Sequence, residues 1–282
     1  MVTNKKSVKV CVIGLGNVGY PTASHLRKCG FSVCGYDVDR KKIANINPLQ
    51  AFNEWIEVPE CNVYVVCVNT GWKDEKPDMS NIFDVCSKIA AKSGNRPLVS
   101  IESTVSVGTC RKVAELFDDV YLVHVPHRFW SEEPYKHGVK QLRVIGALDQ
   151  ESLANGMKFY DALGVPVHPV SNLEVAEMAK ISENAYRFMQ IAFGENLWLI
   201  CEENDVLFKE VRDAVNTKWN VELLEARDGI GGDCLPKDIR FLMSLKETPL
   251  LKGAIATDKQ YTEYLRTRSH APRLEKGRSK AN

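Results

Sequence analysis

In the stretch DGIGGDCLPKD, residues 228–238, a single thiol is set where the backbone has unusual freedom. Gly229, Gly231 and Gly232 precede Cys234, and Pro236 and Lys237 follow it. Glycine is conformationally costly, so this density indicates a loop that turns tightly or meets a ligand closely. A thiolate there would be a strong nucleophile, with Lys237 either assisting it or only facing solvent. The plainer account is an inert thiol in a packing loop. A second set is Glu177, Lys180 and Asn184, spaced i, i+3 and i+7, which share one face of a helix. A lysine with an amide neighbour can hold a developing alkoxide while a hydride leaves; the plainer account is an ion pair on a solvated face.

The third set is GLGNVG, running from Gly14 through Gly16, Asn17 and Val18 to Gly19. The first glycine permits a tight turn, the second admits a pyrophosphate to the backbone, and the third lets helix pack on strand. A helix N-terminus behind them offers N–H groups and positive dipole to phosphate. Asp37 lies 18 residues beyond Gly19, where its carboxylate can accept from a ribose 2′-hydroxyl and would repel a 2′-phosphate. NAD is therefore the expected cofactor, with Arg40 tempering the preference over NADP. Thr70 and Thr104 complete the candidate cofactor set. A glycine-rich turn that only packs a sheet is the alternative.

These residues need elements to carry them. Apolar runs at 8–14, 31–37, 62–68, 97–103, 120–126 and 142–147 read as buried strands, separated by helix-length segments. After about Pro169 the strands stop. Residues 171–204 read as one long helix capped by Ser171 or Asn172, followed by helical segments near 206–217, 236–247 and 249–266. The expected class is α/β: a Rossmann-type doubly wound parallel sheet, then an all-helical domain built on one long helix. The expected domains are 1–169, binding NAD; 170–266, helical, dimerising and carrying the cysteine loop; and 267–282, a basic disordered tail.

Composition narrows the classes of function. Net charge is +1 over 282 residues, so no overall field argues for nucleic acid or a membrane surface. Positive charge gathers in the tail, where residues 266–282 hold six Lys/Arg against one Glu. No run approaches a membrane span, and the first residues lead directly into a strand without a signal peptide. Nine cysteines without a Cys-x-x-Cys pair fit neither zinc nor a secreted disulfide scaffold, and point to a reducing cytoplasm. Cys11, Cys34 and Cys67 lie in apolar strand-like runs and are expected to be core residues.

Four segments occur in the order found in the UDP-glucose/GDP-mannose dehydrogenase family, which the chain resembles over roughly residues 8–260: GLGNVGYP, STVSVGT (103–109), EVAEMAKISENAYR (174–187) and GIGGDCLPKD (229–238). The resemblance implies NAD-dependent oxidation of a nucleotide-sugar 6-hydroxyl to a carboxylate, with two NAD used per sugar. It implies that Cys234 attacks the intermediate aldehyde, and that a thiohemiacetal becomes a thioester hydrolysed by water. By the same match Lys180 and Asn184 stabilise oxyanions, Asp238 positions Lys180 or water, and Thr104 stands near the attacking water.

Three departures qualify these expectations. The family's Pro-Glu is here HVPHRFWSEEP, which places His127 where a glutamate usually assists the water. A neutral imidazole can serve as that base, while Glu132 and Glu133 do not match the register. Pro-His-Arg-Phe is closer to the N-acetylmannosamine type of the motif than to the glucose type. The chain also stops where family members continue into a nucleotide-gripping α/β domain, so that either a separate chain supplies the nucleotide site, or the substrate is different or weakly held, or activity is lost. A Glu-Pro-Gly segment is lacking before NVYVVCV, and GEN (194–196) replaces the usual Asn-Glu order. Two alternatives stay open: a single-step β-hydroxyacid-type dehydrogenase, which shares the Lys-x-x-x-Asn pair, and a non-catalytic NAD-binding partner of a full-length dehydrogenase.

Overall fold

A computed structural model describes residues 5–44, 46–94, 96–128 and 138–270. The chain divides into two compact units, residues 1–182 and 183–282. The first is built on an eight-stranded sheet. Its strands are β1 (Lys9–Ile13), β2 (Ser32–Tyr36), β3 (Gln50–Phe52), β4 (Val63–Val66), β7 (Leu98–Ile101), β8 (Tyr121–His124), β9 (Arg143–Ala147) and β10 (Val167–Pro169), in the order 10-9-8-7-4-1-2-3. All neighbours run parallel except β8 and β9. Between β4 and β7 a separate hairpin forms from β5 (Gly71–Lys73) and β6 (Lys76–Asp78). Near-continuous burial along the central strands follows from their Val- and Ile-rich runs, which need cover on both faces.

Helices α1 (Gly19–Lys28), α2 (Arg40–Ile43), α3 (Ser80–Lys92), α4 (Thr109–Ala114) and α5 (Gln150–Leu163) connect the strands. Leu26 of α1 and Phe159, Tyr160 and Leu163 of α5 join Val10, Val12, Val65, Val123 and Ile145 in one apolar core. The strand order reverses at β1, with β2 on one side and β4 on the other. A doubly wound sheet opens a ligand crevice at the strand ends there.

Helix α6 (Leu173–Glu203) is 31 residues long, as the sequence pattern anticipates. Its first residues belong to the first unit. They are fixed by Glu177, whose buried carboxylate accepts from the backbone N–H of Gly108 (2.6 Å) and Cys110 (2.7 Å) and so caps α4. Burial pushes this carboxyl's pKa above its ordinary value.

The second unit holds the rest of α6 with α7 (Phe208–Val215), α8 (Cys234–Leu245) and α9 (Pro249–His270). Ala185, Phe188 and Ala192 of α6 pack with Ile239 of α8 and Leu251 of α9. Helix α9 runs four residues past the expected end at 266, and Arg268 on it pairs with Glu202. The remaining tail, from residue 271, lies outside the described residues, as do Glu132 and Glu133.

Candidate active site

The glycine turn follows β1 at the reversal point. Gly14 has φ +87°, and a Cβ on it would stand 2.6 Å from the Cys67 carbonyl oxygen. A Cβ on Gly19 would stand 1.8 Å from the Gly14 carbonyl oxygen, so the first turn of α1 can approach β1 only without a side chain. Around Gly16 nothing lies within 4 Å of a Cβ position, which leaves the backbone open to a ligand. Asn17 and Val18 lead into α1, whose start carries neither a side-chain cap bond nor an acidic residue in its first turn. This end offers N–H groups to an anion without a competing carboxylate.

Asp37 directly follows β2 and is buried. Its carboxylate accepts from the N–H of Leu15 at 2.7 Å and of Asp39 at 2.9 Å, with Lys42 at 3.5 Å. A carboxylate has about four acceptor positions, so capacity for a ribose hydroxyl remains. Arg40 turns to Glu54 instead, at 3.4 Å. An open glycine backbone, an uncapped helix start and a held carboxylate together fit a dinucleotide. The Thr70 hydroxyl donates to the Thr104 carbonyl at 2.6 Å, joining the segments after β4 and β7.

Below this crevice lies a buried polar network that sequence reading missed. Glu102, just past β7, is 3% exposed. Its Oε1 accepts from the Tyr160 hydroxyl at 2.6 Å; its Oε2 lies 2.6 Å from His127 Nε2 and 3.0 Å from Arg143 Nη1. The arginine approach is an ion pair without hydrogen-bond alignment. Burial would push the Glu102 carboxyl up, but Arg143 first and His127 second reverse this and hold it at about 2. Charged residues inside two apolar runs, Glu102 and Arg143, were the signal that could have revealed the pair.

His127 is thus enclosed. Its Nε2 faces both Glu102 and the Thr22 hydroxyl, the latter at 3.0 Å. Donation of Nε2–H to the Glu102 carboxylate leaves the lone pair on Nδ1. Burial, then Arg143, lowers its pKa and keeps the ring neutral. A Glu-His-Thr relay is not formed, because both contacts use the same nitrogen. Lys180, on α6, is 8% exposed, and its charge acts on both His124 and His127.

In the second unit, Asn184 Nδ2 donates to Asp238 Oδ2 at 2.5 Å, and Lys237 Nζ lies 3.0 Å from Asp238 Oδ1 and 4.6 Å from the Phe241 ring centroid. Asp238 is fully buried and holds the amide and Lys237. The chain does not keep Cys234 in a loop, as the sequence suggested. The cysteine is the first residue of the 12-residue α8, behind Gly229 and Gly232 at φ +93° and +76°. Pro236 is tolerated because first-turn N–H groups have no intrahelical acceptor. Of nine cysteines, Cys234 is the exposed one; Cys11 and Cys34 are buried and Cys67 is half-buried. The unusual GEN order places Glu195 in the interior without a hydrogen-bond partner for either oxygen among the described residues, and burial, with Asp258, pushes it up to about 8.

Two family models match the chain. The NAD binding domain of the UDP-glucose/GDP-mannose dehydrogenase family covers residues 8–55 and 49–164, and its central domain covers 174–259. A UDP-N-acetyl-D-mannosamine dehydrogenase of Pyrococcus horikoshii is 28% identical over 268 residues, covering 84% of this chain. The chain spans 64% of the length of that relative. The structure of the UDP-D-ManNAc dehydrogenase from P. horikoshii matches with a TM-score of 0.84 at 25% identity, over 92% of this chain and 70% of that one. A 3-hydroxyisobutyrate dehydrogenase of Mycobacterium tuberculosis shares the fold alone, with a TM-score of 0.71 at 16% identity, over 92% of this chain and 94% of that one.

Proposed function

We propose, because this chain belongs to the UDP-glucose/GDP-mannose dehydrogenase family, that it oxidises the 6-hydroxyl of a nucleotide sugar to the carboxylate with NAD. The observation that carries the reading is the pairing in the second unit. The amide of the Lys-x-x-x-Asn helix is tied to Asp238, four residues beyond an exposed cysteine at a helix start. An alcohol dehydrogenase with a single oxidation has no use for that cysteine. The P. horikoshii relative and the Pro-His-Arg-Phe segment favour UDP-N-acetylmannosamine over UDP-glucose as the first substrate to try.

Gly14, Gly16, Asn17, Val18 and Gly19 would hold the cofactor pyrophosphate, Asp37 the adenosine ribose, and Thr70 and Thr104 the neighbouring walls. When bound, NAD supplies the acceptor for hydride in each oxidation. Lys180 and Asn184 stabilise the oxyanion of the alcohol and then of the thiohemiacetal. The Cys234 thiolate adds to the aldehyde carbon to give a thiohemiacetal, which the second oxidation turns into a thioester that water near Thr104 opens. His127, with its Nε2–H on Glu102, supplies the base for that water through Nδ1. Asp238 orients Asn184 and Lys237.

Two further parts belong to the proposal. Tyr186, Phe193 and Ile200 stand exposed at seven-residue intervals along α6, a stripe that supports a homodimer. Nine free cysteines support a cytoplasmic setting; no described helix is long and apolar enough to cross a membrane.

Purified protein incubated with NAD and, separately, UDP-N-acetylmannosamine, UDP-glucose and GDP-mannose is expected to yield a uronic acid from one of them. NAD binding without reduction by any sugar would instead favour a non-catalytic partner. For cofactor choice, Asp37→Ala is expected to weaken NAD by about ten- to hundred-fold, the range of a lost charge-assisted hydrogen bond. NADP loses less. Since Asp37 also holds the N–H groups of Leu15 and Asp39, the ratio of the two losses is the informative quantity; equal losses in calorimetric titrations would remove Asp37 from the ribose site.

A further inference from the structure

His124 closes β8 and is completely buried. Its Nδ1 lies 2.9 Å from the Ile101 carbonyl oxygen, so Nδ1 carries the proton and donates. Nε2 is then a lone pair. It has no hydrogen-bond partner among the described residues and is sealed from solvent. Burial, reinforced by the Lys180 ammonium, pushes the imidazole down to about 3, so the ring stays a neutral acceptor. A buried acceptor left unmatched bears the full cost of its lost hydration. That cost calls for a donor in the working state.

Sheet register identifies the donor. His124 pairs with Gly146 across the antiparallel β8–β9 ladder, and residues directly opposite project to the same face. A Cβ on Gly146 would stand 2.3 Å from the Asn172 carbonyl oxygen and 2.8 Å from the Ala176 Cβ. The start of α6 therefore lies on that face. Lys180 is one turn beyond Ala176, on the same side of the helix, and Glu177 between them is pinned to α4. The helix backbone is fixed over the strand end, while the lysine has a flexible four-carbon stem and three N–H donors.

We infer that His124 is a positioning residue for Lys180, its Nε2 lone pair taking one ammonium N–H when substrate binds so that the remaining N–H groups are aimed at the reacting oxygen. This rests on the reading of Lys180 as the oxyanion donor. Glu102 also acts on His124, and the neutral His127 also feels the Lys180 charge. A neutral acceptor suits the task, since a carboxylate there would pair with the ammonium and weaken its hold on an oxyanion.

The test uses full-length protein with 15N-labelled histidine, NADH and UDP-N-acetylmannosamine as the probe. Saturation is expected to move the His124 Nε2 signal upfield, as a nitrogen accepting a hydrogen bond, and Lys180→Met is expected to abolish the movement. In turnover with NAD, His124→Phe should lower kcat about tenfold or more with KM within about threefold, as for an interaction made in the transition state. His124→Gln, which offers an amide oxygen near the Nε2 position, should recover most of that loss. Sugar bound and oxidised with an unmoved Nε2 signal, or His124→Gln as impaired as His124→Phe at equal melting temperature, overturns the inference alone. Unaltered protein that binds no nucleotide sugar overturns both the substrate reading and the inference built on it.

Discussion

Cys234→Ala ends acid formation: the rate of uronic acid production falls by roughly four orders of magnitude, the scale on which enzymes lose turnover when a nucleophile is removed. The aldehyde has no covalent anchor without the sulfur, so the second oxidation lacks the thiohemiacetal from which hydride leaves. The loss should be chemical, because Cys234 is exposed at the start of α8 and contributes nothing to the Ala185–Phe188–Ile239–Leu251 core. Melting temperature and NAD affinity are expected to match the unaltered protein, since the glycine turn and Asp37 lie in the other compact unit. Product analysis by mass spectrometry decides the point. Acid appearing at the wild-type rate would exclude the covalent route.

The largest effect on stability is expected at Arg143. Its guanidinium, 1% exposed, lies beside Glu102 and also donates to the Val139 carbonyl at 2.8 Å. Arg143→Met strands the Glu102 charge in the interior and should cost about 3–5 kcal/mol, the usual penalty for breaking a buried pair from one side. For a unit of this size that lowers the melting transition by roughly 10 °C. The pH dependence follows from the direction of the carboxyl's shift. In the unaltered protein Glu102 sits at about 2, below the ordinary value of 4.5. Its ionised form therefore stabilises the fold above the ordinary carboxylate range, and that contribution is lost as pH falls toward 2. With the arginine gone, burial raises the carboxyl, so the variant's deficit should shrink on lowering the pH from 8 to 5. Adding Glu102→Gln to Arg143→Met should restore part of the loss. A deficit that is independent of pH and unrelieved by Glu102→Gln would mean that packing, not stranded charge, carries the effect.

The parts legible in the sequence were those with a local physical signature. Apolar runs gave β1, β2, β4, β7, β8 and β9 to within a few residues, and helical patterning gave α6 almost to its ends. Strands β3 (QAF) and β10 (VHP) are three residues long and carry little signal; the first lies beyond β2 and the second takes a sheet edge. The β5–β6 hairpin is hidden in GWKDEKPD, where Asp74 and Glu75 adopt positive φ and turn a charged segment into a tight hairpin. The start of α8 was obscured by Gly231 and Gly232 just before it and by Pro236 in its first turn, each of which reads as a breaker.

The site divides in the same way. Gly14, Gly16, Gly19 and Asp37 announce themselves by spacing. The Glu102–His127–Arg143 network does not, because β9 is separated from β7 by β8 in the sheet and the pairing depends on that order. Nor could sequence show that Glu177 caps α4 or that His124 shares a face with the start of α6. Both follow from where a distant segment docks.

The most direct measurement is the number of NADH molecules formed per sugar consumed, taken with purified protein and the nucleotide sugar it accepts. Two NADH per sugar, with a uronic acid as product, is the expected result, since Cys234 carries the aldehyde into a second oxidation. One NADH per sugar, with an aldehyde as product, would contradict it.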